Sequence, residues 1–175
     1  YPILSMLEIA LRNRLYNAID KLIKENWLIS ELELQYLLFD NEYRILLDAS
    51  KKLKIKGKKI TTNSLISELS FGFWVNLCKK TYKPIFWDKK GFFEEVFPNF
   101  LIKNVMDRTK FISFELKNVL QLRNRIFHHE IIINHKLGIE NCYGSVEKIL
   151  SYISPEYLIL LKNISRFDSI IKQKP

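Results

Sequence analysis

The sequence predicts an all-α protein, a single bundle of about six to seven helices across residues 1–175. Three observations carry that prediction. Apolar side chains recur three and four residues apart over long windows, the period of an α-helix rather than of a strand. Glycine and proline number five each, too few for the turns of an all-β chain. No internal repeat, low-complexity segment or break in composition marks a second domain. A chain of 175 residues and 20.9 kDa is long enough to enclose a real core. Its 47% hydrophobic and 27% charged residues are ordinary globular composition.

A first helix is expected over about 3–24, with Leu4, Leu7, Leu11, Leu15, Ala18 and Leu22 as its apolar stripe. Glu8 lies inside the edge of that stripe, with Arg12 one turn on. A carboxylate there needs a cation, which either Arg12 or Arg123 can supply. An intrahelical Glu8–Arg12 pair on a solvated rim fits equally well. Residues 27–39 are less periodic and read as a turn and a short helix. A helix over about 41–53 should turn Tyr43, Leu46, Leu47 and Leu53 inward.

Then come six lysines in nine residues around Gly57, including Lys56, Lys58 and Lys59. This reads as a helix end and an exposed basic loop, either simply solvated or facing RNA. No aromatic residue interleaves with the lysines in sequence, so base stacking is not expected there. Thr61 to Ser64 offer N-caps for a helix over about 65–80, with Leu65, Ile66, Leu69, Phe73, Trp74 and Leu77 as its apolar face. Gly72 within Phe71-Gly72-Phe73-Trp74 suggests a close backbone approach, although core packing explains the stretch as well.

Residues 82–100 form an aromatic-rich connector packed onto the bundle, with Pro84, Trp87, Phe92, Phe93, Phe97 and Pro98. A long helix should run over about 105–128, and Ile131 to Ile133 suit an extended exit from it. A last pair of helices is expected over about 146–153, capped by Ser145, and about 156–172, opened by Ser154 and Pro155.

The long helix ends on Leu120-Gln121-Leu122-Arg123-Asn124-Arg125-Ile126-Phe127-His128-His129-Glu130. At about 100° per residue, Ile112, Leu116, Val119, Leu120, Ile126 and Phe127 fall in one stripe, and Arg123 lands near its middle. A guanidinium keeps its proton at ordinary pH, so burying it requires partners or a wet cleft. Arg123 is long enough to wrap towards His128, and Asn124 shares a face with His128, as Arg125 does with His129. A buried cation beside an imidazole suits an anion undergoing proton transfer, and the phosphate of RNA is the obvious one. RNA carries its own nucleophile in the adjacent 2′-OH. An imidazole can move the proton, and Arg123 can neutralise charge building on the phosphoryl oxygens. A salt-bridged arginine and a satisfied histidine fit the same residues.

Other chemistry finds less support. His128 and His129 are adjacent, not four apart, and His135 is seven residues on, so a zinc helix is not formed. No glycine-rich phosphate loop or kinase signature is present. Cys78 and Cys142 stand far apart without metal-ligand spacing and read as reduced core thiols of a cytoplasmic protein. No apolar run approaches the roughly 20 residues of a membrane span, and neither a membrane partner nor a signal peptide is expected. The chain opens at Tyr1 inside an apolar pattern, which predicts residues before it. The net charge of +9 favours a polyanion partner, although a lysine-rich surface accounts for it equally well.

Arg123 to His128 resembles the Arg-x4-His signature of HEPN domains. LRNRIFHHE is similar to the LRNRIAHHEP segment of bacterial Abi-like (abortive infection) proteins within that superfamily. Three further stretches are similar to the same family: Leu7 to Asn13, Glu68 to Leu77, and Ile153 to Glu156 with the later Ser165-Arg166-Phe167. The resemblance therefore covers nearly the whole chain in order. It implies a HEPN-like helical bundle, often homodimeric, with two sites facing across the dimer cleft. It also implies metal-independent, cofactor-free RNA cleavage in phage defence or as a toxin, with an antitoxin of protein or RNA as a further partner.

Residue by residue, Arg123 and His128 take the catalytic positions and Asn124 the polar position after the arginine. His129 and Glu130 match the Abi-like extension, and Glu8 and Arg12 the first-helix pattern that supports the site. Lys56, Lys58, Lys59 and Arg125 are the candidate RNA contacts. Two departures stand out. Ile131 occupies a position where relatives often have proline. Glu130 occupies one where some HEPN toxins carry a tyrosine that a partner transferase modifies. Besides an endoribonuclease, the motif fits a non-catalytic RNA-binding module or a protein-interaction and dimerisation module.

Overall fold

The computed structural model describes residues 2–23, 26–103, 105–130 and 138–167, with the backbone alone at 31–33. Among these residues every regular element is helical. In chain order they are α1 (Pro2–Ile23), α2 (Glu31–Leu37), α3 (Asp40–Ile55), α4 (Thr62–Glu68), α5 (Phe71–Leu77), α6 (Phe92–Val96), α7 (Arg108–Phe127), α8 (Ile139–Ile153) and α9 (Pro155–Ile164). A 3₁₀ turn at Lys80–Tyr82 and a π turn at Lys83–Trp87 lie between α5 and α6. The all-helical class stands, but among the described residues nine α-helices replace the expected six to seven.

Part of the excess comes from the helix expected over 65–80, which breaks at Leu69 and Ser70. Both adopt extended backbone (ψ 129° and 161°). In the seven residues of α5, Phe71, Phe73, Trp74, Val75 and Leu77 are all buried, which places apolar surface all round the helix. A straight continuation of amphipathic α4 would expose half of them. The break turns α5 into the interior. The remainder comes from the aromatic connector, which does pack onto the bundle but coils into α6 as it does so.

Local chemistry sets the helix starts. Thr61 forms a reciprocal capping box with Ser64 at the head of α4, as its sequence suggests. α7 begins at Arg108 rather than near 105, because the Asp107 carboxylate accepts the Lys110 N–H at 3.0 Å and stops the helix there. α8 begins after Gly138 (φ +70°), nearly two turns before the expected start. Ser145 is therefore no cap. It is buried inside α8 and donates to the Glu115 carboxylate of α7. α9 starts on Pro155 as expected and ends at Ile164. The exit expected at 131–133, with His135 beyond it, lies outside the described residues, as does the predicted helix past residue 167.

One aromatic-rich core joins these elements. Trp74 of α5 meets Trp27 edge-on at 6.4 Å, and both are fully buried. Trp87 is ringed by Phe92, Phe93 and Phe97 at 5.1–6.0 Å. Aromatic side chains of this size dominate the burial that offsets chain entropy. Three residues expected inside are not: Leu22 and Leu47 are each 40% exposed and Phe127 is 47% exposed. Leu47 and Phe127 lie at the edges of their helices' stripes, and Leu22 lies in the last turn of α1.

Two buried carboxylates pin helices to one another. Glu115 of α7, 3% exposed, receives Lys148 Nζ at 2.7 Å and the Ser145 hydroxyl, both from α8. Glu42 of α3 receives Asn76 Nδ2 at 2.9 Å and the Tyr82 hydroxyl at 2.7 Å. A buried carboxylate is tolerated when each oxygen has a donor, and losing one donor leaves a costly orphan. The cysteines are free and buried, and burial raises both thiol pKa values. Among the described residues no helix is long and apolar enough to cross a membrane.

Gly72 needs no special backbone. A Cβ there would meet Ser70 Oγ at 3.6 Å and Leu120 Cδ1 at 3.9 Å, ordinary contacts that do not support the suggested close approach. Gly72→Ala should therefore raise stability by up to about 1 kcal/mol in urea unfolding, and a loss would contradict this packing. A second prediction concerns acid. The Lys110 N–H, and after it Lys83, holds the Asp107 carboxyl below its ordinary range. A depressed folded pKa adds stability above the unfolded value of about 3.9, and that stability is lost as pH falls through the folded pKa. Asp107→Asn should be less stable than wild type at pH 7 by roughly 0.3–1 kcal/mol, with the gap closing near pH 2.

Candidate functional site

The C-terminal half of α7 brings Arg123 against α1. Its guanidinium lies over the Phe127 ring one turn on, 3.9 Å from the ring centroid. Nη2 stands 3.8 Å from Glu8 Oε2, and the two side chains are 23% and 26% exposed. Of the two cations that sequence offered Glu8, Arg123 is thus the nearer partner. Arg12 Nε instead donates to Asn13 Oδ1 at 3.3 Å.

The Glu8–Arg123 contact is an ion pair but too long for a hydrogen bond. Arg123 Nε is moreover buried with no hydrogen-bond partner among the described residues. A guanidinium has five N–H donors, and this one is oriented by charge and by an aromatic ring, with Nε unpaired among the described residues. Such a group is arranged to receive a further anion.

The helix ends where the sequence predicts, within one residue. α7 stops at Phe127, and His128 is the residue that caps it, with its N–H still donating to the Asn124 carbonyl at 2.9 Å. His129 takes the left-handed conformation (φ +54°). Its N–H donates to the Ile126 carbonyl at 3.3 Å, and the Glu130 N–H donates to the Arg125 carbonyl at 2.9 Å. This is the two-bond turn that commonly satisfies the last carbonyls of a helix, with histidine where glycine is usual. His128 is consequently exposed at the end of the helix, directly after Phe127.

The other candidates divide into two groups. Asn124 is exposed on the same face as His128, but no side-chain hydrogen bond joins them among the described residues. Arg125 faces away from Arg123: Nε pairs with Glu130 Oε2 at 3.7 Å, and its charge is felt by the Cys142 thiol of α8. Glu130 thus braces the capping turn. In the lysine loop, Lys56 is tied to Glu68 at 2.6 Å, whereas Lys58 and Lys59 are exposed and make no ion pair among the described residues. No three of His, Cys, Asp and Glu gather at ligand spacing among the described residues.

Sequence reasoning missed one residue near these. Tyr16 of α1 lines a groove with Lys59 and Asn63, so an aromatic ring does stand beside the lysine loop. The pairing spans more than 40 residues, and no local pattern announces it.

Comparison of the chain with protein-family models, with curated proteins and with solved structures gives no match.

Because His129 carries a positive φ, glycine should suit its position better. His129→Gly should raise stability by about 1 kcal/mol in urea unfolding, and the β-branched His129→Val should lower it by at least as much. Equal stability of the two variants would show that the turn is not formed.

Proposed function

We propose that this protein is a metal-independent endoribonuclease with Arg123 and His128 as catalytic residues. It acts in the cytoplasm of a bacterium in phage defence (abortive infection) or as the toxin of a toxin–antitoxin pair. The observation that carries the proposal is the Arg123 guanidinium, held between the Phe127 ring and Glu8 with Nε unpaired among the described residues, five residues before an exposed histidine. The net charge of +9 supports a polyanionic substrate. The likeness of LRNRIFHHE to the Abi-like segment supports the same class.

In this reading the 2′-OH of RNA attacks the adjacent phosphorus. The O2′–P bond forms, the P–O5′ bond breaks, and the products are a 2′,3′-cyclic phosphate and a 5′-OH. One proton leaves O2′ and another reaches O5′. His128 handles one of these transfers. Arg123 donates to the non-bridging oxygens as charge builds on them. In a homodimer with facing sites, the second copy's His128 handles the other proton. Glu8 supports the site by keeping Arg123 turned towards α1, and Asn124 lines the approach to His128. An antitoxin would act by covering this rim.

A non-catalytic RNA-binding or protein-interaction module remains the second reading. One observation favours it: no side-chain hydrogen bond orients His128 among the described residues, and catalytic imidazoles are usually oriented by a partner.

The test is RNA cleavage by purified protein in EDTA. Wild type should cut, and Arg123→Ala and His128→Ala should each lose roughly 10²-fold or more. Glu8→Gln should fall between them and wild type. Full cleavage by either alanine variant, or RNA bound tightly but never cut by wild type, would refute catalysis at this site.

A further inference from the structure

Glu8, Arg12 and Tyr16 are spaced four residues apart along α1 and are all half-buried, so they form one ridge on the flank of that helix. Its two ends meet different parts of the chain. Glu8 touches Arg123 at the end of α7. Tyr16 lines a groove of about 460 Å³ with Lys59, Asn63 and Asn26. Eight residues of helix separate the ends, about 12 Å at about 1.5 Å per residue. That is the length of roughly three to four stacked nucleotides at about 3.4 Å each.

The groove is built rather than incidental. The Tyr16 ring stacks on the fully buried Trp27 at 6.3 Å and 27°, and its hydroxyl donates to Asp20 at 3.4 Å. The ring is thus fixed from beneath. The lysine loop is fixed as well. Ser64 Oγ donates to the Lys59 carbonyl at 2.9 Å, and Ser64 belongs to the Thr61 capping box. Lys58 and Lys59 stay exposed on this anchored backbone, whereas Lys56 is neutralised by Glu68.

We propose that this flank of α1 is a track for single-stranded RNA, leading from Lys58 and Lys59 past Tyr16 and Arg12 to Arg123 and His128. The proposal rests on the ribonuclease reading and adds to it where the strand lies and that the substrate is single-stranded. Lys58, Lys59 and Arg12 contact phosphates. Tyr16 offers a stacking edge for a base, and the amides of Asn26 and Asn63 can both donate to and accept from base edges. An acidic peptide would use the lysines but has no need of an aromatic ring flanked by amides. A duplex would present few unstacked bases to them.

The test measures binding of a fluorescent, mixed-sequence single-stranded 12-nucleotide RNA to full-length His128→Ala protein, so that the RNA stays intact. Tyr16→Ala should weaken binding roughly 5- to 100-fold, whereas Tyr16→Phe should bind normally. Because Tyr16→Ala also uncovers Trp27, the exposed pair Lys58→Ala/Lys59→Ala is measured in parallel. It should reduce the magnitude of the log Kd against log salt slope by about 1.4, two phosphate contacts at about 0.7 each. Unchanged binding in the lysine and tyrosine variants overturns the track. So does absence of RNA binding, or equal competition by duplex RNA or polyglutamate. The two readings fail separately. Cleavage that needs Arg123 and His128 but ignores Lys58, Lys59 and Tyr16 removes the track alone. Groove-dependent binding without cleavage by wild type removes catalysis alone.

Discussion

A guanidinium cannot shed its charge, and Arg123 sits where most of its side chain is out of water. That one constraint explains the arrangement around it. Glu8 must be charged and on the facing flank of α1, and Phe127 must follow Arg123 by one turn to lie beneath it. The pairing is loose, at 3.8 Å, and one donor is orphaned. A purely structural salt bridge would gain by closing to hydrogen-bond distance. In the ribonuclease reading proposed above, the remaining electrostatic demand is met by a phosphate.

The rest of the fold holds α1 and α7 in this register. Glu115 draws Lys148 and Ser145 of α8 onto α7, and α8 in turn packs against α1. At the far end, the Asp107 cap sets where α7 starts. At the near end, the capping turn through His129 and Glu130 sets where it stops. The left-handed His129 is thus a backbone element of the helix end, and its neighbour His128 is exposed.

Much of this was legible in the sequence because it rests on local rules. The stripe of α1, the Thr61 cap and the proline at the head of α9 each depend on residues within two turns. The anomaly of Glu8 and Arg123, two charges on apolar stripes, was legible for a related reason: an unmatched charge advertises a partner. What was not legible depends on distant contacts. The break between α4 and α5 follows from how many aromatics the core can take. Ser145 looks like a cap until Glu115 is seen to need its hydroxyl. The end of α7 was expected, but not that a left-handed residue other than glycine, His129, makes its turn. Tyr16 meets the lysine loop only once α1 and α4 are assembled.

The chemistry of the product ends tests the central claim most directly. RNA incubated with the protein in EDTA should yield fragments with 2′,3′-cyclic phosphate and 5′-OH ends by mass spectrometry, and DNA of the same sequence should remain whole. Those ends require the 2′-OH as nucleophile and need no activated water. Fragments with 5′-phosphate and 3′-OH ends, or cleavage of the DNA, would contradict the account.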